Sequence, residues 1–114
     1  MRPKTFLTVP DFYIGGQLAF AVDFSKSTIT SIAGWTFAMT LKTSQADVKP
    51  AAQVKVTVAS DDTSLKVALV IPATVTKKLL PGKFYCEVAS YDTAGVLSVW
   101  TKPGAQNNAY QALI

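Results

Sequence analysis

Histidine is absent from this 114-residue chain, and cysteine, arginine and glutamate occur once each. Without histidine there is no Ser–His or Cys–His arrangement, and the commonest transition-metal ligand is missing. The lone Cys86 leaves no internal disulfide, so the fold must hold by packing alone, as a reducing compartment requires. With no imidazole to activate it, Cys86 reads as a buried structural thiol. Carboxylates are equally sparse. Glu87 and Asp92 are separated by an expected turn, and nothing else pairs acids across a cleft. Asp61 and Asp62 are adjacent, so their side chains diverge, and two such donors fall short of the roughly six oxygens a hard cation takes. Gly15-Gly16 lacks the surrounding pattern of a phosphate loop. No catalytic residue, metal ligand or cofactor-binding residue is therefore assigned. No apolar run approaches the roughly 20 residues that cross a bilayer, which argues against a membrane partner. The opening Met1-Arg2-Pro3-Lys4 lacks the apolar core and cleavage site of a signal peptide, so the chain is expected to be made and folded inside a cell.

What is present points to a β-protein. Hydrophobic residues make up 49% and charged ones 16%, a balance suited to a packed core. The length suits one domain. Thirteen threonines and many valines favour strands, because β-branched side chains lose little freedom on a pleated surface. The net charge of +4 comes from ten lysines spread along the chain, with Lys77-Lys78 the one doublet and Lys83 nearby. Scattered lysines of this kind keep sheet edges from pairing with other chains. A nucleic-acid surface would instead cluster Arg and Lys around aromatics, so that partner is disfavoured.

Period-2 patterning, broken by turn signals, recurs along the chain. Residues 6–9 read as a first strand ahead of Pro10. Gly15-Gly16 turns into residues 17–24, where Leu18, Phe20, Val22 and Phe24 share a face. Gly34 leads into residues 35–42, with Trp35, Phe37, Met39 and Leu41 inward. Val54, Val56 and Val58 alternate with polar residues, Ser60-Asp61-Asp62-Thr63 reads as a hairpin tip, and Leu65, Val67, Leu69 and Ile71 return. Residues 73–80 fit a helical turn across one end. A Pro-Gly turn then feeds Phe84, Cys86 and Val88, and Asp92-Thr93-Ala94-Gly95 closes a hairpin onto residues 96–102. These elements make an all-β chain: one immunoglobulin-like sandwich of about seven antiparallel strands. The domain is read as residues 1–104, followed by a tail at 105–114 that ends in apolar residues and is expected to serve as an assembly contact. Trp35, Phe37, Leu69, Ile71, Phe84 and Cys86 are expected in the core. Phe20 or Val22 stands where antibody-type domains carry the second cysteine.

The run Trp35-Thr36-Phe37-Ala38-Met39-Thr40-Leu41-Lys42, then Leu69-Val70-Ile71-Pro72, then Leu79-Leu80-Pro81-Gly82-Lys83-Phe84-Tyr85 with a hairpin after it, follows an aromatic strand at residues 13–24. Together they resemble the small Ig-like domains of tailed-bacteriophage virion proteins, over residues 13–102. The resemblance implies a non-enzymatic structural protein: an accessory or decoration module of head, neck, tail or baseplate. It would be made in the host cytoplasm, reside in the virion, and bind capsid, neck or tail subunits in a multi-copy or homo-oligomeric assembly. A module binding a host-surface glycan or receptor is the alternative. Both readings use exposed aromatic and apolar side chains. The interface candidates are Phe12, Tyr13, Trp100, Tyr110, Leu113 and Ile114. Trp100 is among them because strand parity sets it opposite Leu97 and Val99.

Overall fold

The computed structural model describes residues 6–113. In chain order these form β1 (Phe12–Tyr13), β2 (Leu18–Asp23), β3 (Thr36–Lys42), β4 (Ala52–Thr57), β5 (Lys66–Ile71), α1 (Ala73–Thr76), β6 (Gly82–Tyr91), β7 (Leu97–Val99) and β8 (Gln106–Tyr110). The fold is all-β, in two sheets. β2 and β5 pair antiparallel as a two-stranded sheet, with Leu18 opposite Ile71 and Asp23 opposite Lys66. The larger sheet runs β1-β8-β6-β3-β4, and β7 shares with β8 the edge of β6 that β3 leaves open.

Alternation explains how the sheets meet. Phe37, Met39 and Leu41 of β3, with Phe84, Cys86 and Val88 of β6, are buried in one cluster with Leu18 and Val22 of β2 and with Val67, Leu69 and Ile71 of β5. Each large apolar side chain withdrawn from water in this way contributes about 1.5–3 kcal/mol. The intervening residues, such as Gln53 and Lys55 on β4, stay outside. Two glycine turns set the approach of neighbouring loops. Gly15, at φ +83°, shapes the β1–β2 turn closed by the Gly16 N–H on the Tyr13 carbonyl at 2.8 Å. At Gly34, φ +78°, a Cβ would stand 3.0 Å from Thr93 Cγ2, so the turn before β3 nests against the β6–β7 turn. α1 carries the chain from the small sheet to the large one. The buried Thr76 hydroxyl donates to the Gly16 carbonyl at 2.6 Å, tying that crossing to the β1–β2 turn.

Four sequence expectations are corrected. Residues 6–9 do not form the first strand: Leu7 makes an isolated parallel bridge with Thr101, and the ladder begins beyond Pro10 at Phe12–Tyr13. Proline lacks the N–H that would continue such a ladder. Residues 105–114 are not simply a tail beyond a domain ending at 104, because Gln106–Tyr110 is β8, bonded to β6 and lying parallel to β1. Its Asn107 and Ala109 are buried. Ser60-Asp61-Asp62-Thr63 is a turn but not a hairpin tip. β4 belongs to the large sheet and β5 to the small one, so this loop crosses between layers. Leu65 absorbs the change of direction at φ +59°, held by its carbonyl accepting from the Phe24 N–H at 2.8 Å. Trp35 is only partly buried, because it precedes β3 at the end of the sandwich, where its ring stacks on Phe37 at 6.1 Å.

Phe37→Ala should therefore cost about 3–5 kcal/mol of unfolding free energy, the range for a large core aromatic. Trp35→Ala should cost clearly less. Urea unfolding of both variants checks the order, and a larger loss at Trp35 would refute this account of the core.

Candidate functional site

Phe12 and Trp100, expected at an interface, are buried within the domain instead. The Phe12 ring lies 6.1 Å from that of Phe84, under the β1–β8 edge. Trp100 inverts the expected parity. It and Thr101 are both buried although adjacent, because the segment after Thr101 covers the outer face here, while Leu97 stands outside. The ladder breaks here. The Trp100 N–H still donates to the Val88 carbonyl at 2.9 Å, but the Val88 N–H finds the Thr101 side chain, Oγ1 at 3.3 Å. The backbone regains β6 where the Cys86 N–H donates to the Ala105 carbonyl at 3.0 Å. Trp100 keeps its polar edge satisfied by donating from Nε1 to Ser90 Oγ at 2.9 Å. A threonine followed by Lys102-Pro103-Gly104 was the available signal that alternation fails at this point.

The remaining candidates sit at the end of the sandwich where β6 begins. Tyr13 and Tyr110 are neighbours across the parallel β1–β8 pair, with ring centroids 6.0 Å apart and planes tilted by 51°. They are 59% and 47% exposed. Asp11 braces Tyr110 and the strand that carries it. Its carboxylate accepts from the Asn108 N–H at 2.8 Å, from Asn108 Nδ2 at 3.4 Å and from the Tyr110 hydroxyl at 3.3 Å. The Asp11 charge holds the Tyr110 phenol above its ordinary pKa, with burial a smaller cause. Tyr110 thus stays a protonated donor. Leu113 is fully exposed beyond it, and Leu80 lies 80% exposed in the turn that enters β6. Ile114 lies outside the described residues. Asp11 and Leu80 were not among the sequence candidates. Asp11 becomes visible only once β1 and β8, nearly a hundred positions apart in the chain, are neighbours.

A shallow hollow of about 190 Å³ opens on the outer face of β3 and β6, beneath the detour after Trp100. Thr40, Lys42, Tyr85, Glu87, Thr101 and Lys102 are among the residues that line it, a largely polar set, with the buried Cys86 at its edge. The Glu87 and Asp92 carboxylates are not brought together: Glu87 faces this hollow, whereas Asp92 accepts from the Ala94 and Val96 N–H groups in the β6–β7 turn. Asp62 likewise serves its own turn, accepting from the Ser64 N–H at 2.7 Å. Among the described residues no cluster of His, Cys, Asp or Glu could hold a metal ion, and no helix is long and apolar enough to cross a membrane.

Cys86 is a buried free thiol whose pKa is raised, first by burial and then by the Asp11 charge. Thiol reagents should modify it only with denaturant present, and rapid native labelling would contradict its placement. The raised pKa also fixes a sign. The associated stability is intact below the unfolded thiol value, about 8.5, and is lost as pH rises through the folded value. Alkaline destabilisation should be smaller in Cys86→Ala, as thermal melts across that window would report. Comparison with protein-family models and with curated proteins finds no match to this chain.

Proposed function

We propose that this chain is a non-enzymatic structural module of a tailed-bacteriophage virion, an Ig-like sandwich that docks onto neighbouring capsid, neck or tail subunits. The strand order favours the Ig-like description: β3 and β6 lie central in one sheet, β2 faces them from the other, and β1 runs parallel beside the last strand. The resemblance of residues 13–102 to phage virion domains supplies the biological setting. The observation that carries the docking role is the exposed Tyr13–Tyr110 pair at one end of the molecule, with Asp11 accepting from the Tyr110 hydroxyl. Rigid tyrosines lose little side-chain entropy on contact and recur among the residues that dominate interfaces.

The test is whether the protein copurifies with phage particles through a density gradient at fixed stoichiometry. Tyr13→Ala with Tyr110→Ala should lower incorporation by about 30-fold, the equivalent of about 2 kcal/mol, while the melting temperature holds. Absence from particles, together with retention on immobilised glycans, would overturn the virion reading in favour of the glycan-binding one.

A further inference from the structure

The exposed large apolar side chains of the described residues fall at the two ends of the molecule. β6 spans the long dimension: its ten residues cover about 30 Å of the 43 Å extent. At its Gly82 end stand Tyr13, Leu80, Tyr110 and Leu113, with Val48 in the loop that follows β3 on the same side. At its other end stand Tyr91, Val96 and Leu97. The sheet faces between carry none of them.

Charge divides along the same axis. Lys49, Lys77, Lys78 and Lys83 surround the Gly82 end and outnumber Asp11 and Asp47. The Tyr91 end gathers the turns that close β2, β4 and β6, where Asp23, Asp61, Asp62 and Asp92 outnumber Lys26 and Lys66. Asp23 and Asp62 are held ionised by local backbone N–H donors, so this end keeps its negative sign at neutral pH. One end is apolar and basic, and the other is apolar and acidic.

We propose that copies of this chain associate head to tail, the apolar, lysine-rich Gly82 end of one seating on the apolar, acidic Tyr91 end of the next. Pairing like ends would oppose lysine to lysine or aspartate to aspartate, which costs free energy, whereas opposite ends attract. The end faces measure about 26 by 24 Å, so a full contact buries on the order of 1,200 Å² over both partners, the lower bound for specific interfaces. Association is therefore weak in dilute solution and favoured where copies are concentrated. A head-to-tail contact is heterologous and propagates into a ring or a stack. The inference names a second copy as a partner within the docking role proposed above, but it stands or falls on the purified protein alone.

Two full-length variants test it by sedimentation velocity over a concentration series. Leu80→Glu places a carboxylate on the end that must meet the acidic face. Val96→Gln with Leu97→Gln removes the apolar contact from the other end. All these sites are exposed, so melting temperatures should match the parent protein. The parent should form species larger than dimers as concentration rises. Each variant alone should self-associate about tenfold more weakly or less, because every contact would use one altered end. Mixed in equal amounts, the two should form a one-to-one complex and stop there, joined through their intact ends. Dimers of either variant alone at parental affinity would show like-end pairing and overturn the proposal, as would a parent monomeric throughout. Neither result would bear on copurification with particles, so the two readings fail separately.

Discussion

The two sheets share no disulfide, and the aromatic contacts that join them at the Tyr91 end converge on one phenylalanine. Phe24 follows β2 of the small sheet and inserts among aromatics of the large one. Its ring meets Trp100 edge-on at 5.0 Å, Phe37 at 5.8 Å and Trp35 at 6.5 Å. Aromatic pairs in such tilted geometry are worth about 0.5–1.5 kcal/mol each beyond the area they bury. Three of them meet at one side chain, so registers set far apart in the chain are fixed relative to one another. The consequences spread outward. Trp100, opposite Val88 on the inward face, reaches Phe24, Thr101 then replaces a backbone acceptor, and β8 rejoins β6 only after the detour. That detour roofs the outer hollow and aligns Asn107 and Asn108 to capture residues 10 and 11.

Much of this was legible in the sequence, for physical reasons that differ by element. β2, β3, β5 and β6 each bury one face and leave the other half-buried or exposed, so period 2 states both their existence and their orientation. The β6–β7 turn was readable because Asp92 and Gly95 supply the local hydrogen bonds and the positive φ such turns need. Failures came where a residue's environment is set by a distant segment. Trp100 looks exposed if Leu97 and Val99 are taken as the inward residues of the last strand, and nothing local reveals that Phe24 waits inside. Residues 106–110, Gln-Asn-Asn-Ala-Tyr, read as polar and unpatterned. Yet Asn107 is buried because its Nδ2 donates to the Pro10 carbonyl at 3.0 Å, a partner 97 positions away. The same distance hid Asp11 and its role in fixing Tyr110.

Asn107 also shows where polarity is tolerated in the core. Its amide nitrogen is satisfied, while its buried Oδ1 has no partner among the described residues. The amide cannot be swapped for an apolar side chain without leaving the Pro10 carbonyl bare as well. The Asn107 amide thus specifies where the first segment lies on the last strand.

That placement has a mechanical side. Because β1 runs parallel to the final strand and Leu7 bridges Thr101 in the same parallel sense, traction between the segment around Leu7 and the segment after Tyr110 pulls along the strand axis. The joining bonds, from Leu7 N–H to the Trp100 carbonyl at 2.8 Å through Asn107 on Pro10 to Ile14 N–H on the Tyr110 carbonyl at 2.8 Å, lie across that axis. They would be sheared together, not peeled open one by one. A small domain without covalent cross-links is thereby suited to holding its shape under tension, since rupture requires several bonds to fail in the same event.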